Sequence, residues 1–268
     1  MKFSHLTDPH LTAAGELFNI DVCGRLRLAV ASINEWHQDA EMVMVTGDIA
    51  HWGESGAYEF ASEIFGELTM PWYPLAGNHD EKPAYFNGMA NAPRDENDRT
   101  CYKLQTSAGL FLALDTTVDG THAGELDDAQ LAWLDQQLGA TDDSAFLFMH
   151  HHPLTSGLMA LDRIRLKNND ALANVLDLHP GSVRHIFFGH MHRSFHGSWR
   201  GTPFSTVKST AHQVSPRLNI DEPLVSSSEM PAYAVVFIDD EAVCVHDISY
   251  LEFDKEFGYD RDDGKPAT

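Results

Sequence analysis

Short apolar runs alternate along the chain with stretches whose apolar residues fall at i, i+3 and i+4, the pattern of an α/β fold in which strands feed loops and helices. Residues 3–6 read as a first strand. Val22, Leu26, Val30 and Ile33 then recur at helical spacing and predict a helix over 21–36, and the Met-Val-Met-Val run at 42–45 reads as a buried strand. Tyr58, Ala61, Ile64, Phe65 and Leu68 predict a helix over 57–68, followed by a strand at 72–75.

The second half repeats this grammar, with strands at 110–114, 145–149 and 183–188 and helices near 127–138 and 169–178. Beyond a turn at 199–202 the chain becomes strand-rich, at 203–207, 232–238 and 242–248. Residues 1–250 are expected to form one folded domain and 251–268 a charged tail.

Composition narrows the partners. The 268 residues carry 40 Asp plus Glu against 18 Lys plus Arg, a formal charge of −22, with no two Lys or Arg adjacent. Such a chain has no electrostatic footprint for duplex nucleic acid or an anionic membrane. Residues 144–161, the longest run free of Asp, Glu, Lys and Arg, contain three histidines and Pro153 and do not make a membrane span. The N-terminus lacks an apolar signal core, so a cytoplasmic location is expected. Cys23, Cys101 and Cys244 form neither a disulfide framework nor a CxxC pair, and read as free thiols. A homo-oligomer is left open.

Five predicted strands end in metal-competent side chains: Asp8 with His10, Asp48, Asn78 with His79, His150 to His152, and His190 with His192. Loops at the carboxyl ends of strands in an open sheet line a shared crevice, so these distant residues can converge. A single histidine there is more commonly a hydrogen-bonded structural residue. Five in the same local context carry weight together.

These blocks resemble, in order, the pattern of the calcineurin-like binuclear metallophosphoesterases: D-x-H at Asp8-Pro9-His10, GD at Gly47-Asp48, GNH[DE] at Gly77-Asn78-His79-Asp80, HH-x-P around His150 to Pro153, and GH-x-H at Gly189-His190-Met191-His192. Asp8-Pro9-His10-Leu11, Met149-His150-His151 and Thr210-Ala211-His212-Gln213-Val214 are similar to its class III cyclic-nucleotide phosphodiesterase and glycerophosphodiesterase branch. The resemblance implies a four-layer α/β/β/α sandwich with a strand-rich C-terminal part. It implies one metal on Asp8, His10 and His192, another on Asn78, His150 and His190, and Asp48 bridging both.

The donors suit two divalent or trivalent ions of iron, manganese, zinc or cobalt. By resemblance His79 donates to the leaving oxygen or the phosphoryl group, Asp80 orients the His79 imidazole, and His212 faces substrate. Ungapped comparison places the triple-histidine ligand at His150, whereas counting back from Pro153 gives His151; whether His151 or His152 contributes stays open. His5, His37, His51, His122, His179, His185, His196 and His246 match no block and read as ordinary surface or core residues. Loops 12–21, 116–125, 157–169 and 209–221 are expected to form the pocket rim.

The activity implied is hydrolysis of small phosphodiesters, cyclic nucleotides or glycerophosphodiesters, by attack of a metal-bridging hydroxide on phosphorus. Two metal ions make the pocket locally cationic within an acidic protein, which removes the need for a basic surface. A phosphomonoesterase or pyrophosphatase on the same site is the alternative. A non-catalytic scaffold is a weaker reading, because every block is intact.

Overall fold

Val43 and Val45 pack toward helices while Met42 and Met44 face a second sheet, so this apolar run is covered on both sides. Residues 145–149 do the same: Phe146 and Phe148 point into the space between the sheets, and Ala145, Leu147 and Met149 pack beneath the helices of the second half. A strand buried on both faces reads as a continuous hydrophobic run, which is why these segments were visible in the sequence.

The computed structural model describes residues 1–251. Its first sheet has the spatial order Val243–Ile248, Tyr233–Ile238, Lys2–Leu6, Val43–Thr46, Trp72–Leu75. The last three strands run parallel, and Tyr233–Ile238 returns antiparallel beside Lys2–Leu6. The second sheet runs Phe195–Trp199, Thr202–Thr206, Val183–Phe188, Ala145–Met149, Gly109–Ala113, Tyr102–Thr106, parallel in its middle and antiparallel at both edges.

The sheets meet across an aromatic layer. Phe3 contacts Phe111, Phe148 and Phe187 edge-on, with ring centroids 5.2, 5.8 and 5.4 Å away. Such pairs add about 0.5–1.5 kcal/mol each beyond their buried area. Outside the first sheet lie helices Val22–Trp36 and Ser55–Phe65, and outside the second lie Asp128–Gly139 and Asn169–Leu178. The four-layer α/β/β/α arrangement expected from the sequence is therefore present. Asp21 and Asp127 cap two of these helices by accepting from the amides of Gly24 and Gln130, contacts of the kind that contribute ~1 kcal/mol.

Among the described residues no helix is long and apolar enough to cross a membrane. All but the first residue of the tail expected at 251–268 lies outside the described residues. Several elements escaped the sequence reading: the short helices Lys82–Gly88 and Met159–Asp162, and the edge strands Tyr102–Thr106 and Phe195–Trp199. The edge strands alternate or expose polar residues and lack the apolar runs of the central ones.

Candidate metal centre

The parallel strands of both sheets end at one place. Asp8 follows Lys2–Leu6, Asp48 follows Val43–Thr46, Asn78 and His79 follow Trp72–Leu75, His150 follows Ala145–Met149, and His190 with His192 follows Val183–Phe188. At three of these ends the backbone passes through left-handed conformations. Asp8, His10, Asp48, His190 and His192 all take left-handed backbone conformations, with φ of 52°, 44°, 50°, 69° and 49°. Non-glycine residues in this region carry strain of about 1–3 kcal/mol each, and such strain persists where the surroundings fix it, commonly at functional sites. Gly77 permits a close approach: a Cβ there would lie 2.2 Å from Asp48 Oδ1.

Asp48 sits at the middle. Its Oδ2 is 3.4 Å from His10 Nε2 and 3.4 Å from His150 Nε2, while Oδ1 accepts from the His79 amide at 2.9 Å. On one side Asp8, His10, Asp48 and His192 form a buried group of potential ligands. Asp8 Oδ1 is 3.4 Å from His192 Nε2, and its Oδ2 accepts from the Thr7 hydroxyl at 2.6 Å. On the other side Asn78 Oδ1 is 3.2 Å from His150 Nε2, and the His190 ring lies 5.1 Å from that of His150.

The hydrogen bonds leave the right atoms free. His150 Nδ1 donates to the Thr46 carbonyl at 2.8 Å and His192 Nδ1 to the His212 carbonyl at 2.7 Å, so both present Nε2 to the centre. His190 Nε2 is buried without a hydrogen-bond partner among the described residues. An imidazole held through one nitrogen by a carbonyl, with the other aimed at carboxylates, is the standard support of a metal-bound histidine. The donor set therefore fits a binuclear metal centre.

Electrostatics point the same way. Burial opposes charge on His150, yet Asp48 and Asp8 pull its pKa up to about 9; Asp8 likewise raises His192 against burial. Burial would raise Asp48, but His150, His79 and His10 hold it well below the usual carboxylate range. Burial, reinforced by neighbouring histidines, keeps His10 and His190 well below theirs. The carboxylates thus draw positive charge into a buried site, and metal cations meet that demand.

The structure separates the three consecutive histidines. His151, although within ligand distance of His150 and His190, spends Nδ1 on the Thr116 hydroxyl and Nε2 on the His122 carbonyl. His152 contacts Asp162 at 3.3 Å, and Asp162 in turn accepts from the Ser156 and Gly157 amides. Only His150 points its free nitrogen at Asp48. The hydrogen-bond geometry weighs more here than proximity.

His79 Nδ1 donates to the His51 carbonyl at 2.9 Å, and its ring lies 4.9 Å from that of His10 on the cleft side. Asp80 does not orient this imidazole, contrary to expectation. Its carboxylate turns back to the amides of Ile49, Ala50 and Gly77 and to the Tyr58 hydroxyl, tying together the loops that carry Asp48 and Asn78. Burial and the nearby Asp48 push its pKa up to about 6. His212 lies against His192 and lines the cleft, with Nδ1 buried and without a partner among the described residues.

Two further histidines belong to the site. His51 Nδ1 is 3.0 Å from His10 Nδ1, and His122 Nδ1 is 2.9 Å from Asn78 Nδ2. The first lies three residues after Asp48, a signal available in the sequence; the second gave none. The cleft over the centre is walled by Phe18, Leu161, Ile164, Val214 and Leu224, so each loop expected at the rim contributes, with His122 representing 116–125.

A two-sheet sandwich carrying this paired Asp, Asn and His centre defines a metal-dependent phosphoester hydrolase. The family model described as calcineurin-like phosphoesterase matches residues 1–194, and the chain belongs to that family. It is 36% identical over 256 residues to a probable cyclic nucleotide phosphodiesterase of Rhodopseudomonas palustris, covering 94% of this chain and 93% of that protein. It is 30% identical to a glycerophosphodiester phosphodiesterase of Enterobacter lignolyticus over 80% of this chain and 79% of the relative. Its fold is similar to that of a dimetal phosphatase of Danio rerio, with a TM-score of 0.70 at 18% identity over 94% of this chain and 97% of the other.

Proposed function

We propose that this chain hydrolyses small phosphodiesters, cyclic nucleotides or glycerophosphodiesters, using two divalent or trivalent ions of iron, manganese, zinc or cobalt. The observation that carries the reading is the convergence of free ligand atoms on both sides of Asp48. Asp8, His10 and His192 would hold one ion, the first site; Asn78, His150 and His190 would hold the other, the second site; Asp48 faces both groups. When bound, the ions supply Lewis acidity and activated water for attack at phosphorus.

The chain's own groups do the remaining work. With Nδ1 committed to the His51 carbonyl, His79 offers Nε2 to the cleft, where its protonated form donates to the departing oxygen. His212 forms part of the substrate wall. Among the described residues no Lys or Arg lines the cleft, which favours a monoanionic diester over a monoester dianion that would require further positive charge. The apolar residues around the rim receive the organic substituents of the diester. The unpaired thiols of Cys23, Cys101 and Cys244 suit a cytoplasmic enzyme.

The test is a parallel assay of the manganese-loaded protein on bis-p-nitrophenyl phosphate, p-nitrophenyl phosphate, 2′,3′- and 3′,5′-cyclic nucleotides, and glycerophosphodiesters. A higher kcat/KM for diesters than for monoesters is expected. A clear preference for monoesters would replace this reading with a phosphomonoesterase on the same centre.

A further inference from the structure

Asn78 is the one neutral amide in the ligand set, and an amide has two ends that fit the same space. With Oδ1 toward His150 it offers a lone pair to a cation; rotated, it offers N–H. His150 already donates Nδ1–H to the Thr46 carbonyl, so once it gives up its other proton, as a metal ligand must, it presents a lone pair at Nε2, 3.2 Å from Asn78 Oδ1. A rotated amide would satisfy that lone pair with a proton and leave no place for an ion. Something must hold the productive orientation.

We propose that His122, held in place by His151, is a positioning residue that fixes the Asn78 amide with its oxygen toward the second site. The inference rests on Asn78 being a ligand there. The chain of hydrogen bonds has a defined direction. Thr116 Oγ1 accepts from the His151 amide at 3.2 Å and gives its own hydrogen to His151 Nδ1 at 2.7 Å. That leaves Nε2 as the protonated nitrogen of His151, and it donates to the His122 carbonyl at 3.1 Å. Gly124 lets the loop lie this close, because a Cβ there would sit 2.5 Å from the His151 ring.

So anchored, His122 places Nδ1 2.9 Å from Asn78 Nδ2 and accepts from it. The acceptor rewards the orientation that binds metal and opposes the rotated one. This also gives the second of the three consecutive histidines a role distinct from that of His150: it anchors the loop that sets a ligand. Preorganising a ligand in this way typically changes metal affinity ~10–100-fold.

His122 is exposed, so its side chain can be changed without opening the core, and its carbonyl remains available to His151 in every variant. His122→Phe keeps a flat ring and removes the acceptor. His122→Asn restores an acceptor near the position of Nδ1 and leaves nothing at Nε2, which separates positioning of Asn78 from any contact of Nε2 with substrate.

The experiment is calorimetric titration of the metal-free full chain with Mn²⁺, for wild type, His122→Phe, His122→Asn and Asn78→Ala. Wild type should bind two ions. His122→Phe should bind the first as wild type does and the second ~10–100-fold more weakly, with His122→Asn recovering most of the loss and Asn78→Ala losing the second ion. Wild-type binding by His122→Phe, or no recovery in His122→Asn, alongside loss in Asn78→Ala, would overturn the positioning role and leave the ligand assignment standing. Two wild-type ions in Asn78→Ala would remove the ligand assignment and this inference together.

Discussion

His10 and His192 face one another Nε2 to Nε2 at 3.0 Å. His192 has its other nitrogen on the His212 carbonyl, and His10 has its other nitrogen against His51. Two imidazole lone pairs this close repel unless a proton or a cation lies between them. Asp8 and Asp48 add carboxylate oxygens to the same space. A buried pair of this kind is stable with a positive charge at its centre, and a metal ion supplies that charge at every pH where the imidazoles are neutral.

Replacing the shared carboxylate should collapse both halves of the site. Asp48→Ala removes the anion that faces His10 and His150 and leaves no substitute within the loop. Metal analysis should show both ions weakened, with activity falling by more than the ~10–100-fold typical of losing an outer partner of a ligand. A variant holding one tightly bound ion with wild-type turnover would show that Asp48 does not bridge.

His79→Ala should separate catalysis from metal binding. Its imidazole bonds to the His51 carbonyl and not to Asp48, whereas its backbone amide holds Asp48 and is retained in the variant. Metal content should stay near wild type while kcat falls ~10²–10⁴-fold on substrates with alkoxide leaving groups. The fall should be smaller for p-nitrophenolate, which leaves with little protonation. An equal loss for both leaving groups would mark His79 as a uniform stabiliser of the phosphoryl group and not as the acid.

Gly77→Ala tests the close approach beneath the centre. The added Cβ would meet Asp48 at both Oδ1 and the backbone nitrogen, 2.2 and 2.3 Å away, and also the His150 ring. Overpacking of this kind costs about 1–3 kcal/mol. A lowered Tm together with weakened binding of both ions is expected. Unchanged metal affinity would show that the loop relaxes without moving the carboxylate.

Acid sensitivity should trace partly to His185, a buried residue of the strand Val183–Phe188 with Nε2 on Ser205 Oγ at 2.9 Å. Burial, with a smaller contribution from His196, lowers its pKa from 6.5 to about 4. The folded state therefore binds fewer protons than the unfolded state between these values. The stability from the neutral ring is complete above pH 6.5 and is lost as pH falls toward 4, amounting to roughly 2–3 kcal/mol. His185→Gln can keep the bond to Ser205 without titrating. On metal-free protein its stability should fall less steeply than that of wild type between pH 6.5 and 4, and parallel curves would contradict the assignment.

Much of the centre was legible because its proposed ligands stand at the ends of buried parallel strands. The apolar runs at 43–46 and 145–149 announce those strands, and polar residues immediately after them announce the crevice. The supporting contacts were not legible. The nearness of His51 to Asp48 in sequence marks it as a neighbour of the centre, but His51 and His122 reach the proposed ligands His10 and Asn78 across 41 and 44 residues, and no local pattern records such a pairing. Asp80 misled for the same reason: adjacent to His79 in sequence, it turns its carboxylate toward the amides of Ile49, Ala50 and Gly77. The edge strands Tyr102–Thr106 and Phe195–Trp199 show that half-exposed pairing leaves a weaker trace than burial on both faces.

The most direct measurement of the account is hydrolysis of bis-p-nitrophenyl phosphate as a function of bound metal, starting from protein stripped by a chelator and titrated with Mn²⁺. A binuclear centre gives no turnover without metal, and turnover that rises to a plateau as occupancy reaches two ions per chain. Full activity in the stripped protein, or a plateau reached at one ion with the second adding nothing, would contradict a binuclear phosphodiesterase centre.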